Sequence, residues 1–460
     1  MEINWDLTPA DVITKVKHFW KLSALKLRAL KDYNLSQGSP VYTVKGRYVT
    51  RSWTEWTLGF LFGSAILQFD ATGEREFLEY GKRGTLLYMP KYVTHMGVHD
   101  HGFNIVSTYG NLLRLIHEGK INGGRWERQF YEFGIKCSAA VQARRWTALP
   151  QGGFIYSFNG PHSLFADTIR SLRVLAVAHL LGHVLMEEGD RQVSLLERLV
   201  EHAYTTAVYN VYYGEGRDIY DVRGRVAHES LFNINNGAYR CPSTQQGYSP
   251  FTTWTRGLAW IMLGYAEELE FLETIDDEEL AAVGGREEVE GFMLRAAKAT
   301  CDFYIENTAA DGIPYWDTGA PGLRNLGDYL NRPADPYNEH EPVDSSAAAI
   351  AAQGLLRLGR YLSRKGKDGS RYWQAGLTVL DTLLDEPYLS TDPSHQGLIL
   401  HSVYHRPRGW DYVPPGRQVP CGESSMWGDY HARELVLYVQ RIARNEPYLT
   451  FWGNSGEVET

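Results

Sequence analysis

The chain has 460 residues, 43% of them hydrophobic and 13% aromatic, and carries a formal net charge of −9 at pH 7. A composition of that kind supports a large buried core and excludes a disordered chain. The acidic balance, with no basic tract, argues against nucleic acid as a partner, and the lack of roughly 18 uninterrupted apolar residues argues against a membrane span.

Two further readings concern environment. Cys137, Cys241, Cys301 and Cys421 are far apart and form no CxxC pair, so they read as reduced thiols and neither as a disulfide frame nor as a zinc site. The N-terminus begins acidic and lacks an apolar h-region, so a cytoplasmic protein is expected.

Taken in chain order, the predicted elements are mostly helices. "TPADVITKVKHFWKLSALKLRALKDY" offers Thr8 as a cap, Pro9 at the first helical position and Asp11 three residues after Thr8. "RSWTEWTLGFLFGSAILQFDAT" follows with a helical spacing of apolar residues. The next helix, "DHGFNIVSTYGNLLRLIHEG", has Asp100 at its mouth, flanked by His99 and His101. The plain reading of Asp100 is an N-cap, its carboxylate accepting from the free amides of the first turn. "HSLFADTIRSLRVLAVAHLLGHVLMEEG" puts Asp167 in the first turns of another apolar helix. Two carboxylates on successive helices can meet across a cleft and divide acid and base roles, or each can simply complement a helix dipole.

"SLLERLVEHAYTTAVYNVYY" continues the series, and "QQGYSPFTTWTRGLAWIMLGYAEELEFLETI" follows it. Here Thr252 or Thr253 is the expected cap, Arg256 and Trp260 share a face, Gly257 leaves room for a close approach, and Gln246 stands in the preceding loop. An arginine in a first turn opposes the helix dipole, so Arg256 answers to an anionic ligand or to a buried acid. "REEVEGFMLRAAKATCDFYIENT", "DSSAAAIAAQGLLRLGRYLSRKG", "RYWQAGLTVLDTLLDEPY" and "WGDYHARELVLYVQRIARN" complete the set. Alternate helices are small and apolar on most faces, as inner members of a double ring would be. About a dozen helices without a low-complexity break predict an all-α fold of helical hairpins as one domain over 1–460. Periodicity shows helices in series and not their closure.

Several of these stretches together resemble the unsaturated glucuronyl hydrolases, glycoside hydrolase family 88. "QGYSPFTTWTRGLAW" is similar to that family's QGYxxxSTWxRGQAW, "VHDHGF" to its HDxGF, "WTLGF" to its WTxGF, "PYWDTGAP" to its PYWDxxAP. "DSSAAAIAAQGLLRL" and "MWGDYHARELVL" resemble two further motifs, and all six occur in the family's order from Trp56 to Leu437. The resemblance implies an (α/α)6 barrel. It implies Asp167 as general acid and base, Asp100 as second catalytic carboxylate, and His99, His228, Gln246, Arg256 and Trp260 as substrate contacts, with Trp56 and Phe60 as hydrophobic wall. Departures are Leu258 where the family usually has Gln, Pro250-Phe251 in a loop that is often acidic, Val343 where a basic residue often precedes the aspartate, and "TIRSLRVL" after Asp167 where "xMMNLPLL" is usual.

The implied reaction releases a 4,5-unsaturated uronic acid from the non-reducing end of a small lyase-made oligosaccharide. A proton goes to C4 of the enol ether, water adds at C5, and the ring opens with loss of the aglycone. Like-charge repulsion from Asp100 would keep Asp167 partly protonated. Neither metal nor cofactor is expected. Three other readings stay open on the same barrel: a hydrolase of saturated uronides, a histidine-based sugar epimerase, and a non-catalytic sugar-binding protein.

Overall fold

The computed structural model describes residues 1–51, 56–447 and 450–451. Its helices in chain order are α1 (Ile13–Leu30), α2 (Leu58–Thr72), α3 (Arg75–Tyr88) and α4 (His101–Ile105). α4 runs through a π turn at Val106–Gly110 into α5 (Asn111–His117). There follow α6 (Arg125–Arg144), the broken pair α7 (Thr168–Ser171) and α8 (Arg173–Leu180), α9 (Leu195–Tyr209), α10 (Thr255–Leu272), α11 (Arg286–Glu306), α12 (Ser345–Arg364), α13 (Ser370–Leu383) and α14 (Met426–Ala443). Among the described residues, α2, α4–α5, α7–α8, α10, α12 and α14 form an inner ring, each preceded or followed by an outer helix. The architecture is an (α/α)6 barrel.

Inner and outer helices differ as their sequences do. Every residue of α10 is buried, and so are Ser345 through Gly359 of α12, the stretch that begins "SSAAAIAAQGLL". The outer α13 buries one face only, through Tyr372, Ala375, Leu377, Leu380 and Leu383 among others.

Ring closure, which periodicity leaves open, is achieved at glycines. A Cβ on Gly59 of α2 would lie 2.4 Å from the Asn104 carbonyl oxygen of α4, and one on Gly102 of α4 would lie 2.1 Å from that of Ser171 in α7. A Cβ on Gly264 of α10 would meet Ile169 of α7 at 2.7 Å, one on Gly354 of α12 would meet Leu263 N of α10 at 2.8 Å, and one on Gly428 of α14 would meet Ser346 of α12 at 3.0 Å. Gly63 of α2 closes the circle, its missing Cβ being 2.8 Å from Tyr430 of α14. Each neighbouring pair of inner helices thus touches where one of them has no side chain.

A small antiparallel sheet caps one end. β1 (Ser163–Phe165), β2 (Glu229–Phe232) and β3 (Tyr239–Ser243) pair in that order, with Phe165 opposite Glu229 and Glu229 opposite Ser243. That register brings together Asp167, just after β1, His228, just before β2, and Gln245–Gln246, just after β3.

Several local expectations are corrected. α1 begins at Ile13, because Thr8 and Asp11 close a turn on each other instead, Thr8 N–H and Oγ1 both donating to the Asp11 carboxylate at 2.9 and 2.6 Å. Residues 52–55 of "RSWTEWTLGF" lie outside the described residues, and α2 begins at Leu58. The Asp167 helix ends at Leu180, far short of the apolar run, which continues into a short strand at Val184–Met186. Periodicity does not signal α3 and α6. Gly81 and Gly84 weaken the helical pattern of α3, yet both are needed, since a Cβ on Gly84 would lie 2.1 Å from the Phe62 ring.

Gly354→Ala drives a methyl into the α10 backbone and should lower stability by about 1–3 kcal/mol. Gly291→Ala, on the exposed outer face of α11 with nothing within 4 Å of the new Cβ, should raise it by about 0.5–1 kcal/mol. Denaturant melts of the two variants check the ring-closure account, which fails if both shift stability in the same direction.

Candidate active site

The inner ring opens at one end on a cavity of about 400 Å³, walled by Trp56, Trp254, Trp260, Tyr404 and Trp410 and floored by His99, Asp100 and Asp167. One oxygen of each aspartate and one nitrogen of His99 all lie within 4.8 Å of one another. His99 Nε2 is 3.2 Å from Asp167 Oδ2 and 3.8 Å from Asp100 Oδ1. The His99 ring packs against Phe158 and Phe165, with centroids 6.2 and 5.5 Å away. The same three groups have the spacing of a metal-ion site among the described residues.

The capping reading of Asp100 does not hold. Asp100 occupies the N-cap position of α4, but its side chain makes no capping hydrogen bond. The first-turn amides of Phe103 and Asn104 go to its main-chain oxygen instead, at 3.0 and 3.2 Å. Asp167 stands the same way at the head of α7, without a side-chain cap bond. Its Oδ1 is buried and has no hydrogen-bond partner among the described residues. Both carboxylates are turned from their own helices toward the cavity.

Their electrostatics differ. Burial pushes the Asp100 carboxyl above its ordinary value, and the pull of His99 does not cancel it. Burial acts on Asp167 too, but the charge and hydrogen bond of His99 outweigh it and hold Asp167 below its ordinary value. Burial pulls His99 down, and the two aspartates more than restore it, so its pKa stands above 6.5. In the free site the proton therefore favours Asp100 and His99 over Asp167. That reverses the expectation of a partly protonated Asp167, and the cause is the shorter reach of His99 to Asp167.

Arg256 answers to a buried acid. It is 1% exposed, and its Nη1 pairs with Asp344 Oδ2 at 3.0 Å and also donates to Val403 O. Nη2 donates to Gln246 Oε1 and to Tyr404 O, both at 2.8 Å. The guanidinium touches the cavity wall but is spent on tying α10 to α12, the Gln246 loop and the 403–404 segment. Gln246 is thereby oriented with its carbonyl inward, which leaves its NH2 for a ligand. Thr252 and Thr253 do not cap α10; Trp254 stands at the N-cap, and Thr253 Oγ1 accepts from Val226 N at 3.2 Å. The close approach at Gly257 is made by the Trp254 ring, 2.6 Å from where a Cβ would be.

His228 lies behind the wall. Its ring is packed between Phe165 and Trp254, each 4.6 Å away, and Nδ1 accepts from the amides of Gln245 and Gln246 at 3.0 and 3.3 Å. Burial pushes it down to about 4, so it is neutral, with the proton on Nε2. Phe60 is fully buried and backs Trp56 and Tyr430 without reaching the cavity, which corrects its reading as wall. Trp56 and Trp260 do line it. Sequence reading misses Phe158, Trp254, Tyr404, His405, Arg408 and Trp410, which also line it. The available signal is the aromatic and cationic residues in the Gly- and Pro-bearing loops "YSFNGPH" and "VYHRPRGW".

No family model matches the chain. It is 26% identical over 390 residues to an unsaturated glucuronyl hydrolase of Formosa agariphila, covering 84% of this chain and 80% of that one. To the unsaturated glucuronyl hydrolase of Bacillus sp. strain GL1 it is 25% identical over 402 residues, 86% and 89% of the two chains. The crystal structure of a Bacillus sp. GL1 unsaturated glucuronyl hydrolase superposes with a TM-score of 0.69 at 23% identity, over 95% of this chain and all of that one. Six motifs in order, the barrel, and similarity along most of the sequence agree: this chain is a distant homologue of the unsaturated glucuronyl hydrolases, glycoside hydrolase family 88.

Proposed function

We propose that the protein is a glycosidase that removes a 4,5-unsaturated uronic acid from the non-reducing end of a small oligosaccharide. The observation that carries this reading is the His99–Asp100–Asp167 group at the floor of an aromatic cavity. Protonation of an enol ether needs one acid beside carbon, and water addition needs one base; a single carboxyl can serve in turn.

His99 and Asp167 are hydrogen-bonded at 3.2 Å. An entering uronate brings negative charge close to Asp167 and raises the proton affinity of its carboxylate. Asp167 then protonates C4, the positive charge at C5 is spread onto the ring oxygen, and the Asp167 carboxylate takes a proton from the water that adds at C5. The hemiketal opens and the aglycone leaves. Asp100 is placed to receive sugar hydroxyls, and the tryptophans offer flat faces to the ring. The sugar beyond the cleaved bond is left open by these residues.

Two other chemistries have less support. A histidine-based epimerase needs a pair of histidines that titrate near neutrality; of the histidines lining the cavity His99 is raised, but burial pushes His405 down to about 4 and lowers His95, which leaves no such pair. Hydrolysis of a saturated uronide is compatible with two close carboxylates, and it is distinguished by substrate. Incubation with lyase-made unsaturated disaccharides should remove their ultraviolet absorbance, while a saturated glucuronide should persist. The reverse result would overturn the proposal.

Asp167→Asn should cost about 10²–10⁴-fold in kcat while the barrel still folds; near-normal turnover would remove Asp167 from its role. Asp100→Asn should also cripple turnover, yet raise the melting temperature at neutral pH. Because the folded pKa of Asp100 is raised, the folded state binds more protons than the unfolded one between the two values. Stability from this group is thus present below the unfolded pKa and lost as pH rises through the folded one. Removing the charge restores that loss, and the gain should vanish in acid.

Arg256→Ala leaves Asp344 buried without its cation and should destabilise by about 3–5 kcal/mol. Arg256→Lys should recover only part, since a point charge cannot serve Asp344, Gln246 and two carbonyls together. A raised KM at unchanged melting temperature would instead mean that Arg256 binds the uronate directly.

A further inference from the structure

The residues just after Asp167 hold a second set of contacts, aimed at the other catalytic acid. Ser171, at the end of α7, stands against the turn that carries His99 and Asp100. Its Oγ accepts from Gly102 N at 2.9 Å and lies 2.7 Å from the His99 carbonyl oxygen, to which it donates. Arg173, at the start of α8, donates from Nε to the Gly102 carbonyl at 2.8 Å and from Nη2 to Ser107 Oγ at 3.2 Å. Its Nη1 is 3.4 Å from Glu434 Oε1 on α14.

The main chain of residues 99–102 is therefore held from both sides of Asp100: at the His99 carbonyl before it, and at both polar groups of Gly102 after it. Ser171 and Arg173 are fully buried. Gly102 allows the approach, its missing Cβ being 2.1 Å from the Ser171 carbonyl oxygen. Arg170, between Asp167 and this pair, is anchored to Glu267 and Glu434 at 2.8 and 2.9 Å, so the helix that supplies the contacts is itself fixed to α10 and α14.

We propose that Ser171 and Arg173 are positioning residues that clamp the His99–Asp100 turn against Asp167, and that proton placement among the three depends on this clamp. The proposal rests on the glycosidase reaction for the kinetic part of its test only. The physical ground is the small margin between 3.2 and 3.8 Å by which His99 chooses Asp167 over Asp100. Charged pairs at such separations respond steeply to displacement in a buried site. The other groups that act on this trio are Arg145 at the end of α6, His101 on α4, His202 on α9 and His228 before β2. These four bond to Ser138, to Thr244 and to main-chain groups, so altering the clamp leaves their bonds in place.

The test compares Ser171→Ala, Arg173→Met and Arg173→Lys with Arg357→Met. Arg357 pairs with Glu270 at 2.7 Å, buried in the same barrel interior but away from the cavity. Two readouts are taken: the pH profile of kcat on an unsaturated disaccharide, and the titration midpoint of the His99 imidazole by ¹⁵N NMR, assigned with His99→Gln. Ser171→Ala and Arg173→Met should each lower kcat by about tenfold or more, with KM within about threefold, as expected for a misplaced reacting group. Both should move the His99 midpoint and the corresponding limb of the pH profile, and Arg173→Lys should restore part of each. Arg357→Met should lower the melting temperature and move neither. If Arg173→Met does not fold, Ser171→Ala carries the test alone.

The clamp is overturned if the His99 midpoint and the pH profile stay at wild-type values in Ser171→Ala and in whichever Arg173 variant folds. If the wild type turns over none of the unsaturated disaccharides while the His99 midpoint still moves in the clamp variants, the proposed reaction fails and the clamp stands.

Discussion

Backbone contact between neighbouring helices sets everything else in this protein. Six inner helices can surround one narrow axis only if their main chains come nearer than ordinary side chains permit. The glycines at positions 59, 63, 102, 264, 354 and 428 meet that requirement, one for each junction. The constraint also makes the cavity. Gly59 and Gly102 bring α4 against α2 on one side and α7 on the other, and the heads of α4 and α7 carry Asp100 and Asp167. Two buried acids could not be held within 4.8 Å of each other and of His99 by flexible loops alone; the rigidity comes from helices with no room to slide.

Much of this is legible in the residues. Small, apolar helices such as α10 and α12 announce burial on all sides, and "VHDHGF", "WTLGF" and "TTWTRGLAW" point to the cavity that Trp56, Asp100 and Trp260 line. The partner of each polar group is not legible. Asp100 has every local mark of an N-cap, and only the fold shows that its main-chain oxygen takes the helix amides while the carboxylate faces His99. Arg256 is visible in sequence as a cation out of place in its first turn, but a ligand and a buried acid leave the same trace there. Asp344, 88 residues away, decides between them. Thr8, Thr252 and Thr253 fail as caps because turns and distant segments compete for the same hydroxyls and amides. The outer helices α3 and α6 escape notice since a helix buried on one face, and interrupted by glycines that another helix requires, looks like loop to a periodicity argument.

The electrostatics of the site depend on placement more than on composition. Asp100 and Asp167 are the same residue type at the same kind of helix head, both buried, yet their proton affinities move in opposite directions. A difference of a few tenths of an ångström in the reach of one imidazole separates them. The neutral His228, its Nδ1 held by two backbone amides, supports the Gln245–Gln246 turn and so shapes the wall without bearing charge. Arg256 holds the same turn through the Gln246 side chain, its charge already balanced by Asp344. The interior wall thus contributes shape and hydrogen-bond donors, and the one trio at the floor contributes the mobile protons.

The π turn at Val106–Gly110 has a consequence for how this protein can change over evolutionary time. It splits one long inner helix into two rotational frames: the α4 frame aims Asp100, and the α5 frame seats Asn111 against Tyr430. Each residue gained or lost in an α-helix turns the remainder of that helix by about 100°. Loss of one residue here would regularise the helix and leave only one of the two ends correctly aimed. Insertions and deletions are accordingly tolerable in the loops around the cavity, where they would alter its shape, but not in this turn. Asp100 and the barrel seam are phased against each other by a single extra residue.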